Sequence, residues 1–317
     1  MKCLITGGAG FIGSHLALRL LREGHEALAL DDLSLGQEKF LNPCRDFKTF
    51  KFIKSDLLDL EETKKACLGI DRVWHLAANS DIASGGIRTD IDLKLGTIAT
   101  YNVLEAMRFA GTKEIVFSST SAIYGEAVQR PTPESYGPLL PISFYGASKL
   151  ACEALITAFS HNYGYRAWIF RFANVVGSHT THGAIHDFIK KLKKRPESLE
   201  VLGDGRQAKS YLHVNDCVEG MIYGVEKSKE EVNLFNLAGL GVCSVSEIAD
   251  LVISKVSPQA KKVFTGGSRG WKGDVPQVHL DGNKIKKLGF EAKLDSVGAV
   301  RKSIDDILSD GNMGISS

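Results

Sequence analysis

The chain has 317 residues, of which 44% are hydrophobic and 24% are charged. This size suits one large domain or two smaller ones, with enough apolar residues for a buried core. The formal net charge of +2 is too small to favour nucleic acid or an anionic membrane as the main partner, so small-molecule chemistry stays open.

Six cysteines are scattered without a C-x-x-C pair or a His/Cys cluster at zinc spacing. They are interpreted as reduced, structural thiols, and the sequence predicts neither a disulfide framework nor a metal site. The stretch MKCLITGGAGFIGSHL has a lysine before apolar residues, as a signal peptide does, but glycines and His15 interrupt it. No stretch approaches the ~20 apolar residues of a membrane span, so we expect a cytoplasmic enzyme.

Short apolar runs alternate with amphipathic segments in the first half of the chain. The predicted strands are, in chain order, KCLIT, HEALALD, KFIKSD, DRVWHLAA, KEIVFSS and AWIFRFA. Helical patterns such as FIGSHLALRLLREG and LGTIATYNVLEAMRFAG lie between them. This alternation predicts an α/β fold, a Rossmann-like doubly wound parallel sheet with helices on both faces.

The alternation loosens after about residue 175, where Gly-rich turns appear at GDGRQ, LAGLG and TGGSRGWKGD. Further helices are expected near residues 182–194, 215–227, 244–256 and 296–309. We predict a dinucleotide-binding domain over residues 1–174 and a smaller C-terminal α/β domain, mainly for the substrate, over 175–317.

The one dense basic run is KKLKKR, residues 190–195, which lies between the apolar stretches HDFI and LEVL. We interpret it as the solvated face and C-terminal end of a helix, where cations also suit the helix dipole. The alternative is a patch that binds an anion or nucleic acid.

Four glycines, Gly7, Gly8, Gly10 and Gly13, follow the first predicted strand and open the first helix. Glycine permits a positive φ, lets the backbone approach a pyrophosphate, and lets helix and strand pack closely. The N-terminus of the helix supplies N–H groups to the phosphates. The position between strand and helix makes this pattern a strong signal for dinucleotide binding.

Asp31 ends the second predicted strand, about twenty residues beyond the glycines. Its carboxylate can accept both hydroxyls of an adenosine ribose, and its charge would repel a 2′-phosphate. No Arg or Lys directly follows it, since the next residues are Asp32, Leu33 and Ser34. We therefore predict NAD rather than NADP; the alternative for Asp31 and Asp32 is a solvated turn.

Two further strand ends complete the predicted cofactor site. Asp56 is placed to meet the adenine amine, although a helix N-cap explains it equally well. Ala77 and Ala78 are small enough for a cofactor to lie against the backbone, and close helix packing would use them in the same way. The predicted cofactor-binding residues are Gly7, Gly10, Phe11, Ile12, Gly13, Asp31, Asp32, Asp56, Leu57, Leu76, Ala77, Ala78, Tyr145 and Lys149.

Tyr145 and Lys149 occur in YGASK, where a helix is expected to begin. Residues i and i+4 share a helix face, so both side chains can point at one spot. A tyrosine pKa of about 10 makes a poor base at neutral pH, but a lysine ammonium and a positively charged nicotinamide would favour the phenolate. The pair becomes the leading catalytic candidate because it follows a dinucleotide fingerprint.

The sequence resembles the extended short-chain dehydrogenases that act on nucleotide sugars, a family that includes the UDP-glucose 4-epimerases. The matching stretches, in the family's order, are TGGAGFIGSHL, ALDDLS, SDLLD, HLAAN, NVLEAM, FSSTSAIYG, YGASK, RFANVVG, GDGRQAKSYLHVND and RGWKGDVP. They extend to about residue 276 and are most specific in the first two thirds of the match.

The resemblance implies reversible 4-epimerisation of a nucleotide-diphosphate hexose, with UDP-glucose and UDP-galactose as the expected pair and NAD recycled in each turnover. It makes Tyr145 the acid/base, Lys149 its modulator and a ligand of the nicotinamide ribose, and Thr120 the third catalytic residue. Relatives that dehydrate or decarboxylate typically carry acidic residues after the Ser/Thr. Here Ser121 and Ala122 follow, which favours a simple epimerase.

On the substrate side the resemblance is less direct. It implies that Asn174 contacts the sugar or its phosphate, although an asparagine ending a buried strand can simply cap a turn. Lys209 stands where an arginine often binds the diphosphate, and Trp271 replaces a second arginine, so Arg269 is expected to serve instead. Val278 is expected beside the sugar 2-substituent, where its small size would admit an N-acetyl group.

Helices such as 90–110 and 144–162 pair across a dimer in the resembled family, so a homodimer is predicted. Two alternatives stay open within the enzyme class: a different nucleotide-sugar epimerase and a net oxidoreductase. A third, from another class, is a non-catalytic NAD-binding regulator. An intact Thr120, Tyr145 and Lys149 argue against the regulator.

Overall fold

The structure is a computed structural model that describes residues 1–271 and 273–309. Its strands are β1 (Lys2–Thr6), β2 (Glu26–Asp31), β3 (Phe50–Lys54), β4 (Arg72–His75), β5 (Glu114–Thr120), β6 (Arg166–Phe172), β7 (Asn174–Val176), β8 (Ser198–Val201), β9 (Ala208–Lys209), β10 (Tyr211–His213), β11 (Val232–Leu237), β12 (Cys243–Ser244), β13 (Lys261–Phe264) and β14 (Gln277–Val278). Its α-helices are α1 (Phe11–Arg22), α2 (Leu60–Cys67), α3 (Ile82–Gly85), α4 (Ala99–Ala110), α5 (Phe144–Tyr163), α6 (Ala184–Lys194), α7 (Val214–Lys227), α8 (Val245–Val256), α9 (Asn283–Lys287) and α10 (Ser296–Ser309).

A seven-stranded sheet in the order β11-β6-β5-β4-β1-β2-β3 forms the centre of the fold. Every neighbouring pair in it is parallel, so the predicted Rossmann-like class is confirmed. All six strands expected from the sequence belong to this sheet. The strand order reverses between β1 and β4, and a crevice is expected at the carboxyl ends of the strands there.

Helices cover both faces of the sheet and bury a separate core on each. On one face Leu16 and Leu20 of α1 pack with Trp168 of β6. On the other face Met107 of α4 and Ile156 of α5 pack with strand residues. Burial on both faces explains why the strands read as nearly continuous apolar runs rather than as alternating patterns.

The chain returns to this sheet after residue 175. Helix α7 leads into β11, whose Leu234 lies opposite Ile169 of β6. A smaller part has its own core, formed by α6, α8 and α10, in which Ile189, Ile248 and Ile304 are buried. The boundary at residue 174 stays a prediction, and the sheet shows that the later segment also completes the first layer. Residues 310–317, at the end of the predicted second domain, lie outside the described residues.

The pattern LGTIATYNVLEAMRFAG does not form one regular helix. A π-helical segment, Leu93–Ile98, precedes α4. Its Gly96 allows α5 to approach closely, because a Cβ there would lie 2.1 Å from Ser148 Oγ. Such π segments often occur at functional sites.

The basic run ends α6 as predicted, with Lys191, Lys193 and Lys194 in the last turn. All six cysteines are buried and free of disulfides. Within residues 1–271 and 273–309, no helix has the length and apolar character needed to cross a membrane.

Candidate active site

A cleft of about 990 Å³ lies at the carboxyl ends of the central strands and extends toward α6 and β9. Nearly all predicted cofactor residues line it. Those that do are Gly7, Gly10, Phe11, Ile12, Gly13, Asp31, Asp32, Asp56, Leu57, Leu76, Ala77, Ala78 and Tyr145. The predicted substrate residues Thr120, Asn174 and Lys209 also line the cleft. Predicted cofactor and substrate residues that lie far apart in the sequence therefore line the same cleft.

The glycine turn between β1 and α1 has no room for side chains. Gly7 has a φ of 68°, which glycine adopts without strain. A Cβ on Gly13 would lie 2.1 Å from the Gly7 carbonyl oxygen, and one on Gly7 would lie 2.8 Å from the Ala77 nitrogen. Ala77 thus serves both expected roles, since it lines the cleft and packs against the turn. The bare backbone at the start of α1 fits a dinucleotide pyrophosphate.

Asp31 ends β2 with its carboxylate buried at the edge of the cleft. Its Oδ2 accepts a hydrogen bond from Ala9 N at 3.0 Å, and its Oδ1 accepts one from Leu33 N at 2.8 Å. Burial raises the pKa of this carboxyl above its ordinary value, while the two backbone donors oppose the shift. The backbone holds the carboxylate in place, and each oxygen retains a lone pair for a ribose hydroxyl.

Asp56 is not the helix N-cap that the sequence left open. The N-cap of α2 is Asp59, whose side chain accepts from Glu62 N. Asp56 instead accepts from Leu58 N at 2.8 Å in a local turn and faces the cleft. The two aspartates lie three positions apart, and only the helix start decides which of them is the cap.

Tyr145 and Lys149 lie in the first turns of α5, beside the end of β5. The Lys149 ammonium is 5.9 Å from the centre of the Tyr145 ring. It donates to the Ser118 carbonyl oxygen at 2.6 Å and lies over the Phe117 ring. Thr120, the last residue of β5, faces the cleft near the Tyr145 phenol. The predicted group of three is therefore assembled.

Burial dominates the ionisation of this group. It raises the pKa of Tyr145 to about 12, although the hydroxyl of Thr120 opposes part of the shift. It lowers the pKa of Lys149 to about 8, against the raising influence of Cys152, Glu153 and Asp92. At neutral pH the phenol is therefore protonated and the ammonium is charged. Deprotonating the phenol needs more positive charge than the protein alone provides.

A buried network behind Tyr145, which the sequence analysis missed, fixes α5 against the sheet. Glu153 accepts from the Ser119 hydroxyl at 2.5 Å and from two nitrogens of Arg171 at 3.0 and 2.7 Å. Arg171 also donates to the Tyr124 hydroxyl at 2.9 Å, which donates to Asn236 of β11. The spacing Tyr145, Lys149, Glu153 puts all three on one helix face, and that signal was present in the sequence.

A second missed cluster supports the same helix from the π-helical side. Asp92 is buried, accepts from Asn79 at 3.1 Å, and its backbone oxygen accepts from the Ser148 hydroxyl at 2.7 Å. The charge of Asp92 adds to the rise in the pKa of Tyr145 and opposes part of the decrease in the pKa of Lys149. No local sequence pattern brings these residues together, because they come from three separate segments.

The predicted diphosphate cations have partners within the protein. Lys209 forms an ion pair with the buried Asp274, at 2.6 Å. Arg269 pairs with Glu126 at 2.6 Å and donates to the Asp274 carbonyl oxygen at 2.7 Å. Lys209 lines the cleft, whereas Arg269 is not among the described lining residues. The structure therefore brings one of the two predicted cations to the site.

The remaining predicted substrate residues do not all line the cleft. Asn174 begins β7 rather than ending a strand, and it lines the cleft together with Tyr211. Trp271 also lines the cleft, next to the undescribed residue 272. Val278 pairs with Lys209 in the sheet but packs against a small cluster that includes Leu280. Among the described residues that line the cleft, Val278 is absent.

This arrangement defines a class of protein. A parallel sheet with a glycine turn, a carboxylate held at the end of the second strand and a Thr, Tyr and Lys group suits an enzyme that combines dinucleotide redox chemistry with proton transfer.

Comparison with known proteins gives the family. Residues 3–238 match the model of the NAD dependent epimerase/dehydratase family. A UDP-glucose 4-epimerase of Mycolicibacterium smegmatis is 32% identical over 315 residues, which cover 96% of this chain and 98% of that protein. The chain therefore belongs to the NAD dependent epimerase/dehydratase family and is an NAD-dependent enzyme.

Solved structures agree with that assignment. A UDP-glucose 4-epimerase from Thermotoga maritima with UDP-glucose is 30% identical, with a TM-score of 0.88 and coverage of 98% of this chain and 99% of that one. A UDP-glucose 4-epimerase from Thermus thermophilus in complex with NAD is 27% identical, with a TM-score of 0.86 and coverage of 96% and 98%. The expected family and cofactor are both confirmed.

Proposed function

We propose that this protein interconverts UDP-glucose and UDP-galactose by inverting carbon 4 of the hexose. The observation that carries the proposal is the placing of Thr120 and Tyr145 at the wall of a cleft that is also lined by the glycine turn, with the Lys149 ammonium buried beside Tyr145. The names of the relatives at 30–32% identity point to the same reaction.

NAD bound in the cleft would supply the hydride acceptor for oxidation of sugar carbon 4 and the hydride donor for its reduction. The positive charge of a bound nicotinamide would favour the phenolate of Tyr145, and in that form Tyr145 accepts the proton of the 4-hydroxyl during oxidation and donates it back during reduction. Thr120 hydrogen-bonds at the same position and keeps the phenol oriented. The ammonium of Lys149 favours the phenolate, and its bond to the Ser118 carbonyl holds it there.

Epimerisation is favoured over dehydration by the residues next to Thr120. The 3-10 turn that follows it consists of Ser121, Ala122, Ile123 and Tyr124, and so carries no carboxylate. Of these, Tyr124 belongs to the buried Arg171 network. Without an acid at this turn, the oxidised sugar has one simple fate, which is reduction on its other face.

The nucleotide must be anchored while the hexose turns. Lys209 is the predicted diphosphate cation that lines the cleft, as Lys190, Lys191 and Lys194 of α6 also do. Asn174 and Tyr211 lie on the neighbouring strands β7 and β10. The ion pair with Asp274 orients the Lys209 side chain, and the Asp274 carboxylate balances the charge of the ammonium. We infer that the diphosphate competes with Asp274 for the ammonium.

We also infer a homodimer through α4 and α5. Leu93 and Ile98 of the π-helical segment, Tyr101 of α4 and Tyr163 of α5 are exposed by 41–54% of their surface. Exposed large apolar side chains suit an interface between copies. Light scattering during gel filtration tests this, and a monomeric mass would contradict it. The cytoplasmic location stays a prediction.

The decisive experiment uses purified protein without added NAD. UDP-glucose, UDP-galactose and their N-acetyl forms are each incubated with it, and products are followed by NMR. Interconversion of the two plain hexoses supports the proposal. Accumulation of an oxidised sugar, or a need for stoichiometric NAD, would instead indicate a net oxidoreductase.

A further inference from the structure

Two hydrogen bonds connect helix α1 to the loop at residues 177–183. The Ser14 hydroxyl bonds to His179 Nδ1 at 3.0 Å, and His15 Nε2 bonds to the Ser178 hydroxyl at 3.0 Å. Adjacent residues of the helix thus bind adjacent residues of the loop. The helix is the one that begins at the glycine turn, so the loop is tied directly to the cofactor-binding element.

A third segment joins the same contact. The His179 ring stacks on the Phe40 ring with centres 4.2 Å apart and planes at 6°. Phe40 belongs to the 3-10 segment Glu38–Cys44, which follows β2 and Asp31. The His15 ring also contacts the His179 ring, with ring centres 4.7 Å apart and planes tilted by 53°. We call Ser14, His15, Phe40, Ser178 and His179 the histidine clasp.

The backbone of His179 is held in an uncommon conformation. Its φ is 66°, and the other described non-glycine residue with a positive φ is Leu33, at 64°. Such conformations persist where the surroundings over-determine them, and they concentrate at ligand clamps and switch regions. The His179 ring contacts three side chains, those of Ser14, His15 and Phe40, which satisfies that condition. Leu33 lies two residues beyond Asp31, and His179 lines the cleft.

Two members of the clasp line the same cleft as the glycine turn. His179 and Phe40 line the cleft together with Gly10 and Phe11 of the glycine turn. Burial and the nearby charges of His15 and Lys39 lower the pKa of His179 to about 4, so the ring is neutral near pH 7. It therefore acts by hydrogen bonding and stacking rather than as a cation on the phosphates.

We propose that the histidine clasp retains NAD in the protein between the oxidation and reduction halves of the reaction. The inference rests on the proposed function, because an epimerase that lost its cofactor between the two halves would strand an oxidised sugar. The clasp joins three chain segments across one edge of the cofactor groove. Release of NAD requires this edge to open, and opening requires the stack and the two hydrogen bonds to break.

The test measures release of NAD from the intact protein without any sugar. Protein loaded with radiolabelled NAD is mixed with excess unlabelled NAD, and the retained label is followed over time. The main variant is His179→Asn, because asparagine tolerates a positive φ but cannot stack as a ring. Phe40→Leu removes the stack from the other side. The matched control is His161→Ala, an exposed histidine at the far end of α5.

We expect His179→Asn to release NAD at least tenfold faster than the native protein, Phe40→Leu to release it several-fold faster, and His161→Ala to match the native rate. Release within twofold of native in both clasp variants would overturn the proposal. If His179→Asn does not fold by circular dichroism, Ser178→Ala, which removes one hydrogen bond and leaves the ring, takes its place with the same criterion. Because no sugar is present, failure of the clasp is distinguishable from failure of the epimerase assignment.

Discussion

The glycine turn after β1 and the lysine of β9 line the same cleft but are built to meet a ligand in different ways. The turn offers bare backbone, in which a Cβ on Gly13 would collide with the Gly7 carbonyl at 2.1 Å. Lys209 offers a side chain whose charge already has a partner in Asp274. The first site is complete before the ligand arrives, whereas the second must exchange an internal partner for a ligand.

The two ends of the cleft differ in how readily substitutions can change ligand specificity. A cofactor site made from backbone tolerates few substitutions, because each glycine is needed for packing as well as for binding. A substrate site made from ion pairs can change its ligand by altering one partner. The predictions below test each end of the cleft, from the largest expected effect to the smallest.

Replacing Tyr145 by phenylalanine removes the proposed proton carrier and leaves the glycine turn intact. We expect turnover of UDP-galactose to fall roughly 10²- to 10⁴-fold, with NAD content unchanged. Coupled turnover assays and cofactor extraction measure the two quantities. Tyr163→Phe, at the exposed far end of the same helix, is the control. Near-native turnover in Tyr145→Phe would remove this residue from the mechanism.

Replacing Lys209 by methionine tests the exchangeable ion pair. We expect KM for UDP-glucose to rise roughly tenfold or more with a smaller change in kcat, since a hydrogen bond to a charged group is worth about 1.5–3 kcal/mol. Lys262→Met is the matched control, because Lys262 also pairs with an aspartate, at 2.8 Å from Asp250, outside the cleft lining. Equal effects of the two substitutions would mean that Lys209 only stabilises the fold.

The choice between NAD and NADP tests the cofactor end. The Asp31 carboxylate would face the 2′-phosphate, so we expect NAD to bind at least about tenfold more tightly. Calorimetry on protein freed of cofactor measures both affinities. Asp31→Asn should reduce the preference for NAD over NADP, measured as the ratio of the two affinities. Asp46→Asn, at an exposed site, should leave that ratio unchanged. Equal or tighter binding of NADP by the native protein would refute the assignment.

The pH dependence of kcat/KM tests the electrostatics of the catalytic group. The pKa of Lys149 is lowered to about 8, so the ammonium loses its charge as pH rises through that value. Deprotonation of Tyr145, whose pKa is raised to about 12, increases the phenolate over the same range and opposes that loss. We therefore expect kcat/KM to rise with pH up to about pH 8 and to stop rising above it. Thermal melts at each pH serve as the control for unfolding. A profile that keeps rising from pH 8 to pH 10 would contradict this role.

Val278→Tyr is expected to have the smallest effect. Val278 packs beside Leu280 rather than along the cleft, so the added ring should lower the free energy of unfolding by about 1–3 kcal/mol through overpacking. We expect UDP-glucose and UDP-GlcNAc to be affected equally. Selective loss of the N-acetyl substrate would restore the size-gate hypothesis that the sequence suggested.

Local patterns in the sequence were sufficient for six of the seven strands of the sheet and for most of the predicted cofactor residues that line the cleft. The glycines, Asp31 and the pair Tyr145 and Lys149 each lie within one strand, turn or helix, where spacing along the chain dictates direction in space. The family resemblance extended this to Thr120. These features depend on short-range geometry, so they could be predicted from sequence alone.

Tertiary structure alone decided the partners of the charged side chains. The pairing of Lys209 with Asp274 joins residues 65 positions apart, and Ser14 meets His179 across 165 positions. It also placed β11 at the edge of the sheet and Val278 away from the cleft lining. The physical reason is that ion pairs, ring stacks and packing act over a few ångströms whatever the separation along the chain, and only the folded backbone determines which groups come that close.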